Sequence, residues 1–317
     1  MARRLGVTVP VEAFDLSSST ALTERAEALG YTDAWSYESN CFDSFSPLAA
    51  VAMRTSSMRL GTSITSAFTR PAPLIAMSAA AIAELAPGRF ALGIGSSTEA
   101  IVTGWMGLAY ERPLSRVCEV VQTIRSLLAG DKVGAFRLSR PPDGQVPIFV
   151  AALGDRMLQL AGQMADGVVF FLASAGIIPQ LMAQVGRPME SVARVVVVTG
   201  DDRDQSLSWV RRFICGYAVT PFYASFLVRQ GFAEEVAAIN RCWADGDRER
   251  AAGQVSDTMV HELALVGCGS DVQERIERYF STSLGVLDLW FKSSSEDPAM
   301  RRAEIRRALL ELAPGSR

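Results

Sequence analysis

Short apolar segments alternate with helical ones along most of the chain, and this alternation constrains the fold more than any other feature. Continuous apolar strands separated by helices predict a parallel sheet with both faces covered. Eight such units in 317 residues predict an α/β fold of the (β/α)8 type, a TIM barrel. The eight expected strands occupy residues 3–9, 33–37, 58–65, 89–95, 146–152, 166–172, 193–200 and 285–291.

Helices are expected between these strands and after the last one. The helix at 71–86 is rich in alanine and apolar nearly all round, which predicts that it is buried. The segment 201–284 is longer than a barrel connection requires. We therefore expect a helical insertion between the last two strands, in one domain that spans 1–317. The other helices are predicted at 19–31, 43–56, 114–130, 155–165 and 298–313.

Composition favours a large core and argues against two classes of partner. Apolar residues make up 49% of the chain, charged residues make up 21%, and the net charge is −3. This balance lacks the basic excess that binds nucleic acid or a membrane surface. No apolar run is long enough to cross a bilayer, and the first residues, MARRLGVTVPVEAFD, are not typical of a signal peptide.

Cysteine and histidine usage bears on compartment and chemistry. Five scattered cysteines without a CxxC pair indicate free thiols in a reducing cytoplasm. His261 is the only histidine, and we expect it on the surface or at the cap of a helix. A single histidine argues against a histidine-rich metal site and a Ser-His-Asp triad, so no metal site is predicted.

A glycine pair ends the fourth predicted strand, in the string Gly93-Ile94-Gly95-Ser96-Ser97-Thr98. A dinucleotide-binding fingerprint needs a third glycine and an early βαβ unit, and this string has neither. Two interpretations stay open. Small residues at the carboxyl end of a barrel strand let a flat ring lie close to the backbone, or the glycines relieve crowding within the barrel.

The segment that contains these glycines, AELAPGRFALGIGSS, is followed by GWMG and by RPLSRVCEVVQTIRSLLAG. Together they resemble the luciferase-like superfamily, most of all the branch that uses the deazaflavin coenzyme F420. Residues 30–64 and 146–168 carry the same resemblance. It implies a barrel with an insertion, usually dimeric, and a cofactor ring over the carboxyl ends of the strands.

The implied activity is hydride transfer between coenzyme F420 and a small organic substrate, principally as a reductase, with the redox chemistry supplied by the cofactor. Two alternatives stay open. One is a monooxygenase that uses FMN, and the other is a barrel that binds a flavin without catalysis.

Glu38 and Ser39 are the candidate catalytic residues. Many relatives carry an acidic residue at the position of Glu38, often followed by a histidine that is Ser39 here. The carboxyl group could donate a proton, orient a water molecule or bind a nitrogen of the cofactor ring. A carboxyl group buried beside an apolar ring has a raised pKa, which suits proton donation. The alternative is a structural salt bridge.

The resemblance places the cofactor phosphate at the end of the fifth strand, where backbone N–H groups and a helix N-terminus attract an anion. Asp155 departs from the neutral residue common there, and helix capping is the simple explanation for it. The other implied contacts lie along the first, third and fourth strands. The full cofactor set is Gly6, Thr62, Ser63, Ile64, Gly95, Ser96, Ser97, Ala152, Leu153, Gly154 and Arg156.

The resemblance also implies a backbone bulge at the end of the third strand, with a non-prolyl cis peptide at Ser63–Ile64. The bulge would press against the middle of the cofactor ring, and Ile64 would supply an apolar wedge. The alternative is an ordinary strand end with a trans bond, since non-prolyl cis bonds are rare.

Aromatic side chains near the strand ends are candidates for the substrate pocket, although aromatic residues in apolar runs also form cores. The candidates are Trp35, Tyr37, Phe68, Trp105 and Phe171. A homodimer is expected through the helices at 43–56 and 71–86, whose small apolar faces permit close packing.

Overall fold

The computed structural model describes residues 3–316, and its centre is a sheet of parallel strands. Within these residues there are ten strands: β1 (Arg4–Val9), β2 (Asp33–Ser36), β3 (Arg59–Thr62), β4 (Thr65–Ser66), β5 (Phe90–Gly95), β6 (Ile148–Ala151), β7 (Gly167–Phe171), β8 (Glu190–Thr199), β9 (Ala264–Val266) and β10 (Val286–Ser293).

Eight of the strands close into a barrel in the order β1, β2, β3, β5, β6, β7, β8 and β10, with β10 pairing back to β1. All eight predicted strands are present, and the predicted fold is confirmed. The other two strands are short. β4 continues β3 after an interruption and pairs with β5, and β9 pairs with the later part of β8.

Helices cover the outside of the barrel. They are α1 (Leu16–Ala28), α2 (Ser46–Ala52), α3 (Ala72–Leu85), α4 (Pro113–Leu128), α5 (Asp155–Met164), α6 (Ile178–Val185), α7 (Arg203–Ala218), α8 (Pro221–Arg229), α9 (Ala233–Ala244), α10 (Arg248–Ala252), α11 (Asp257–Leu263), α12 (Ser270–Phe280) and α13 (Pro298–Glu311). A π-helix spans Ala100–Trp105 and a 3₁₀ turn spans Pro314–Ser316.

The insertion comprises α7 to α11 and β9, so it is helical as predicted, with one strand that the sequence analysis did not predict. Its helices form a second apolar core against the outer face of β8. The helix α6 was not predicted either. None of the helices within residues 3–316 is long and apolar enough to span a bilayer.

The prediction that the helix at 71–86 is buried is wrong. α3 buries Ile75, Ala76 and Ala79, but Leu74 is 42% exposed and Met77 is 49% exposed. The sequence is apolar on both faces, and only one face reaches the barrel. Met53, just after α2, is 70% exposed.

The amino-terminal half of the barrel is filled and closed. Trp35 is fully buried there and packs on Phe149, with ring centroids 5.8 Å apart. A Cβ at Gly61 would lie 2.2 Å from the Trp35 ring, so this ring occupies the space that a side chain would need. At the same end, the buried carboxylate of Asp33 pairs with Arg59 at 2.8 Å. The carboxyl ends of the strands are therefore the end left for a site.

Candidate active site

A cavity of about 1370 Å³ opens at the carboxyl ends of the strands, between the barrel and the insertion. Strand ends, the π-helix and the segment around α8 line it, as expected for a barrel of this type. Of the predicted site residues, the following line the cavity: Tyr37, Glu38, Ser39, Ser63, Ile64, Gly95, Ser96, Ser97, Trp105, Ala152, Leu153, Gly154, Arg156 and Phe171.

Four predicted site residues do not line the cavity. Trp35 lies in the core of the barrel, and Gly6 packs beside it, where an added Cβ would lie 3.2 Å from the indole ring. Thr62 is fully buried behind the cavity wall. Phe68 packs on Tyr110, with ring centroids 4.9 Å apart, and Tyr110 reaches the cavity instead. For Gly6, Trp35 and Thr62 this follows from the alternation of side chains along a strand, because the sequence does not show which face of the strand meets the cavity. Phe68 lies in the turn after β4.

A bulge separates β3 from β4, and its peptide bond Ser63–Ile64 is cis, which confirms the prediction. The Ser63 N–H donates to the carbonyl of Ser36 at 2.6 Å. The Thr62 hydroxyl donates to the carbonyl of Gly93 at 2.7 Å and accepts from the Gly93 N–H at 2.8 Å. The bulge is thus tied to both neighbouring strands and holds Ser63 and Ile64 against the cavity.

The two glycines of β5 have different reasons to be glycine. A Cβ at Gly93 would lie 2.0 Å from the carbonyl oxygen of Thr62, so Gly93 is required by packing alone. A Cβ at Gly95 would lie 3.0 Å from the side chain of Ile64, and Gly95 itself lines the cavity. Crowding within the barrel therefore accounts for Gly93, whereas the close approach of a flat ring at Gly95 stays a prediction.

Glu38 lies in the salt bridge that the sequence analysis gave as the alternative. Its carboxylate accepts from Arg70 Nε at 2.8 Å, and the two side chains are 16% and 23% exposed. The same carboxylate accepts from the Ser66 N–H at 3.3 Å. The Glu38 N–H donates to the carbonyl of Ile64 at 3.4 Å. Glu38 therefore holds the bulge through two hydrogen bonds, and the protein groups that contact its carboxylate are polar.

The loop after β6 leads directly into α5, whose N-cap is Gly154. The first N–H groups of a helix have no partner inside the helix, and they attract an anion. Asp155 does not cap this helix, so the capping explanation is wrong. It is the first helical residue, and its carboxylate accepts from Arg229 Nη1 at 2.8 Å. Arg229, at the end of α8, thus neutralises the charge that disfavoured a phosphate here.

The far side of the cavity carries charged and aromatic groups that the sequence analysis missed. Arg194 on β8 donates to Asp288 on β10 at 2.9 Å, and both side chains are buried. Lys292, on β10 as well, pairs with Glu12 from the segment after β1. In the strand order, β8 and β10 lie across the barrel from β3 and β5. A wall formed by Ser63, Ile64 and Gly95, called the bare backbone wall below, therefore faces a charged wall that carries Arg194 and Lys292.

Burial sets the protonation behaviour of this far side. It raises the pKa of the Tyr37 hydroxyl, although the charge of Arg194 acts in the opposite direction. It raises the pKa of Tyr217 to about 12. It lowers the pKa of Lys292 to about 8, with the Arg301 guanidinium acting in the same direction. Burial also raises the pKa of Asp288, against the effect of the neighbouring Arg194.

The alternation of side chains along the last strand could have identified Lys292 as a cavity residue. The eighth strand was predicted to end at residue 291, one residue short of it. Trp290 and Lys292 alternate with Phe291 and point to the same side of the strand, which is the cavity side.

His261 lies in the last turn of α11 with half of its side chain exposed, as expected. Within residues 3–316, no three ligand-type side chains gather into a metal site.

This fold and cavity define the class of the molecule: a (β/α)8 barrel enzyme with a large cavity at the carboxyl ends of the strands. The chain belongs to the luciferase-like monooxygenase family, whose model matches residues 2–285.

Known proteins similar to this chain include two curated relatives and one solved structure. A 5,10-methylenetetrahydromethanopterin reductase of Methanolobus tindarius is 30% identical over 272 residues, which cover 79% of this chain and 83% of that protein. A putative coenzyme F420-dependent oxidoreductase of Mycobacterium tuberculosis is 26% identical over 286 residues, with 78% and 82% covered. The structure of coenzyme F420-dependent tetrahydromethanopterin reductase from Methanopyrus kandleri has a TM-score of 0.73 at 21% identity, over 98% of this chain and 97% of that one.

Proposed function

We propose that this protein is an oxidoreductase that transfers a hydride between coenzyme F420 and a small organic substrate, principally as a reductase. The observation that carries the proposal is the pairing of a bare backbone wall at Ser63, Ile64 and Gly95 with a helix N-terminus at Gly154, in one cavity. The relatives named for coenzyme F420 support the choice of cofactor.

The residues present fit a deazaflavin with a phosphate. The cavity holds about 1370 Å³, which is larger than most small-molecule sites and admits both a tricyclic ring and a substrate. Ser63, Ile64 and Gly95 would hold the ring, and the first N–H groups of α5 with Arg156 would hold the phosphate. When bound, the reduced deazaflavin supplies the hydride.

We assign Glu38 and Ser39 to positioning at the edge of this site. Glu38 keeps the bulge in place through the Ser66 N–H and its own N–H. Ser39 lines the cavity, and its hydroxyl lies 3.3 Å from Asn40 Oδ1, so it can turn toward a ligand. Tyr37, Trp105 and Phe171 would surround the substrate, joined by Tyr217 and Tyr223 of the insertion.

The test is direct titration of the purified protein. Coenzyme F420, oxidised and reduced, and FMN are added in parallel, and binding is followed by ligand fluorescence. We expect tighter binding of the deazaflavin. Tight FMN binding without affinity for coenzyme F420 would instead support an FMN monooxygenase, and binding of neither would overturn the proposal.

We further propose that the protein is a cytoplasmic homodimer that acts without nucleic acid or membrane partners. The exposed apolar side chains on α3 and after α2, Leu74, Met77 and Met53, support a second copy as the occupant of this face. None of the five cysteines forms a disulfide, which fits a reducing compartment.

A further inference from the structure

Lys292 has no part in the cofactor site, yet it is placed for chemistry. It is at the carboxyl end of β10, lines the cavity and has a side chain that is 11% exposed. Its ammonium pairs with the Glu12 carboxylate and lies 4.1 Å from the centroid of the Trp290 ring. The bulge at Ser63 follows β3, and Lys292 lies on β10, so the two line different walls of the same cavity.

We propose, on the basis of the function proposed above, that Lys292 donates a proton to the carbonyl oxygen of a neutral aromatic ketone or aldehyde. Glu12 then restores the proton from solvent. Glu12 suits this relay because its side chain is one-third exposed while that of Lys292 is buried.

The step balances as a two-electron reduction of the carbonyl group. The hydride from the reduced deazaflavin forms a C–H bond at the carbonyl carbon. The C=O π bond breaks, and its electron pair takes the proton from Lys292 to form the O–H bond of an alcohol. Lys292 is left as a neutral amine beside Glu12, which passes it a proton taken from water.

Lys292 is assigned as the proton donor because lysine and arginine differ in their ability to release a proton. An arginine keeps its proton at any working pH, whereas a buried lysine can release one. The chain contains two lysines, Lys132 and Lys292, and its single histidine is not among the cavity residues. Burial and the Arg301 guanidinium lower the pKa of Lys292 to about 8, near the working pH, while an ionised Glu12 favours the charged form.

The class of substrate follows from the charges and rings around Lys292. Both cations of this wall have a carboxylate partner, Lys292 with Glu12 and Arg194 with Asp288, so the wall is neutral and favours an uncharged ligand. The rings of Tyr37 and Phe171 lie 5.3 and 6.2 Å from Trp290, which makes the rest of this region aromatic.

The first experiment measures the proton on Lys292 without any cofactor. Protein grown with lysine labelled with ¹³C at Cε gives two side-chain signals, one for each lysine. We expect Lys292 to titrate near pH 8, below the ordinary value for a lysine side chain, which is about 10.4. Lys292→Met assigns the signals, and Glu12→Gln should lower the Lys292 midpoint further. A Lys292 midpoint at the ordinary value for lysine would overturn the proposal.

The second experiment measures oxidation of reduced coenzyme F420 by acetophenone and by benzaldehyde. We expect Lys292→Met to lower kcat on the order of 10²-fold at pH 7, with unchanged affinity for coenzyme F420. The wild-type rate should fall as the pH rises through about 8, because the donor is then deprotonated, and Lys292→Met should lack this dependence. Lys132→Met is the matched control and should behave as wild type.

The outcomes separate the two proposals. Protein that fails to bind coenzyme F420 contradicts the proposed function. Protein that binds it but reduces neither carbonyl compound, or Lys292→Met protein that keeps the wild-type rate and pH profile, contradicts the role of Lys292 alone.

Discussion

The Asp155 carboxylate, in the first turn of α5, accepts a hydrogen bond from Arg229 Nη1, at the end of α8, over 2.8 Å. The same Arg229 nitrogen lies 3.2 Å from the carbonyl oxygen of Leu153. The insertion is thereby fastened to the loop that would receive the cofactor phosphate. Because the pair is neutral, the helix N-terminus keeps its attraction for an anion.

The first prediction concerns this pair. Arg229→Met leaves the Asp155 charge uncompensated, so affinity for coenzyme F420 should fall about tenfold, which corresponds to about 1.4 kcal/mol. Affinity for the deazaflavin ring without its phosphate should change little. The comparison is a fluorescence titration with both ligands. Adding Asp155→Asn to Arg229→Met should restore most of the affinity, and a double variant as weak as Arg229→Met would contradict the electrostatic explanation.

The second prediction tests the role of Glu38. Glu38→Gln keeps the shape of the side chain and removes its charge. The hydrogen bond from the Ser66 N–H to this side chain should therefore weaken. Arg70 then has only Asp43, at 3.4 Å, as a carboxylate partner. Turnover should fall with little loss of stability, since partly exposed ion pairs contribute about 1 kcal/mol or less. Steady-state kinetics across pH measure the turnover, and thermal unfolding measures the stability. Turnover that is unchanged at every pH would mean that Glu38 is structural only.

The third prediction contrasts two glycines of one strand. Gly93→Ala places a methyl group against the carbonyl oxygen of Thr62, a rigid backbone atom, so unfolding should become easier by about 1–3 kcal/mol. Gly95→Ala meets the side chains of Ile64 and Ala151 at 3.0 and 3.1 Å and no backbone atom as near as 2.0 Å, so the loss of stability should be smaller while affinity for coenzyme F420 falls. Denaturant unfolding and ligand titration of both variants give the comparison. Equal loss of stability in the two would refute the distinction.

The fourth prediction concerns the proposed dimer. Met77→Glu places a charge in the middle of the exposed apolar face of α3 and should give a monomer at micromolar concentration. Leu310→Glu, on α13, is the matched control because Leu310 is also about half exposed, and it should leave the mass unchanged. Light scattering coupled to size exclusion measures both. A wild-type monomer would remove the basis of this prediction.

Local pattern determined the barrel and the end of it at which the cavity opens. Strand and helix periods depend on neighbours a few residues apart, so the eight strands and the position of the site at their carboxyl ends could be predicted. Ser63 and Gly154 could be named because of the family resemblance, and Gly95 because it ends a predicted strand as well.

Only the tertiary structure decided which side chains meet, because that depends on residues far apart in the sequence. Asp155 and Arg229 are 74 positions apart, and Thr8, which donates to Asp288, is 280 positions from it. The positions of Trp35 and Lys292 could not be predicted from local pattern either. A large aromatic residue near a strand end entered the core of the barrel, and a lysine one residue beyond a predicted strand reached the cavity. Closure of the barrel brings β1 beside β10, and with it Glu12 to Lys292, and no local pattern encodes that contact.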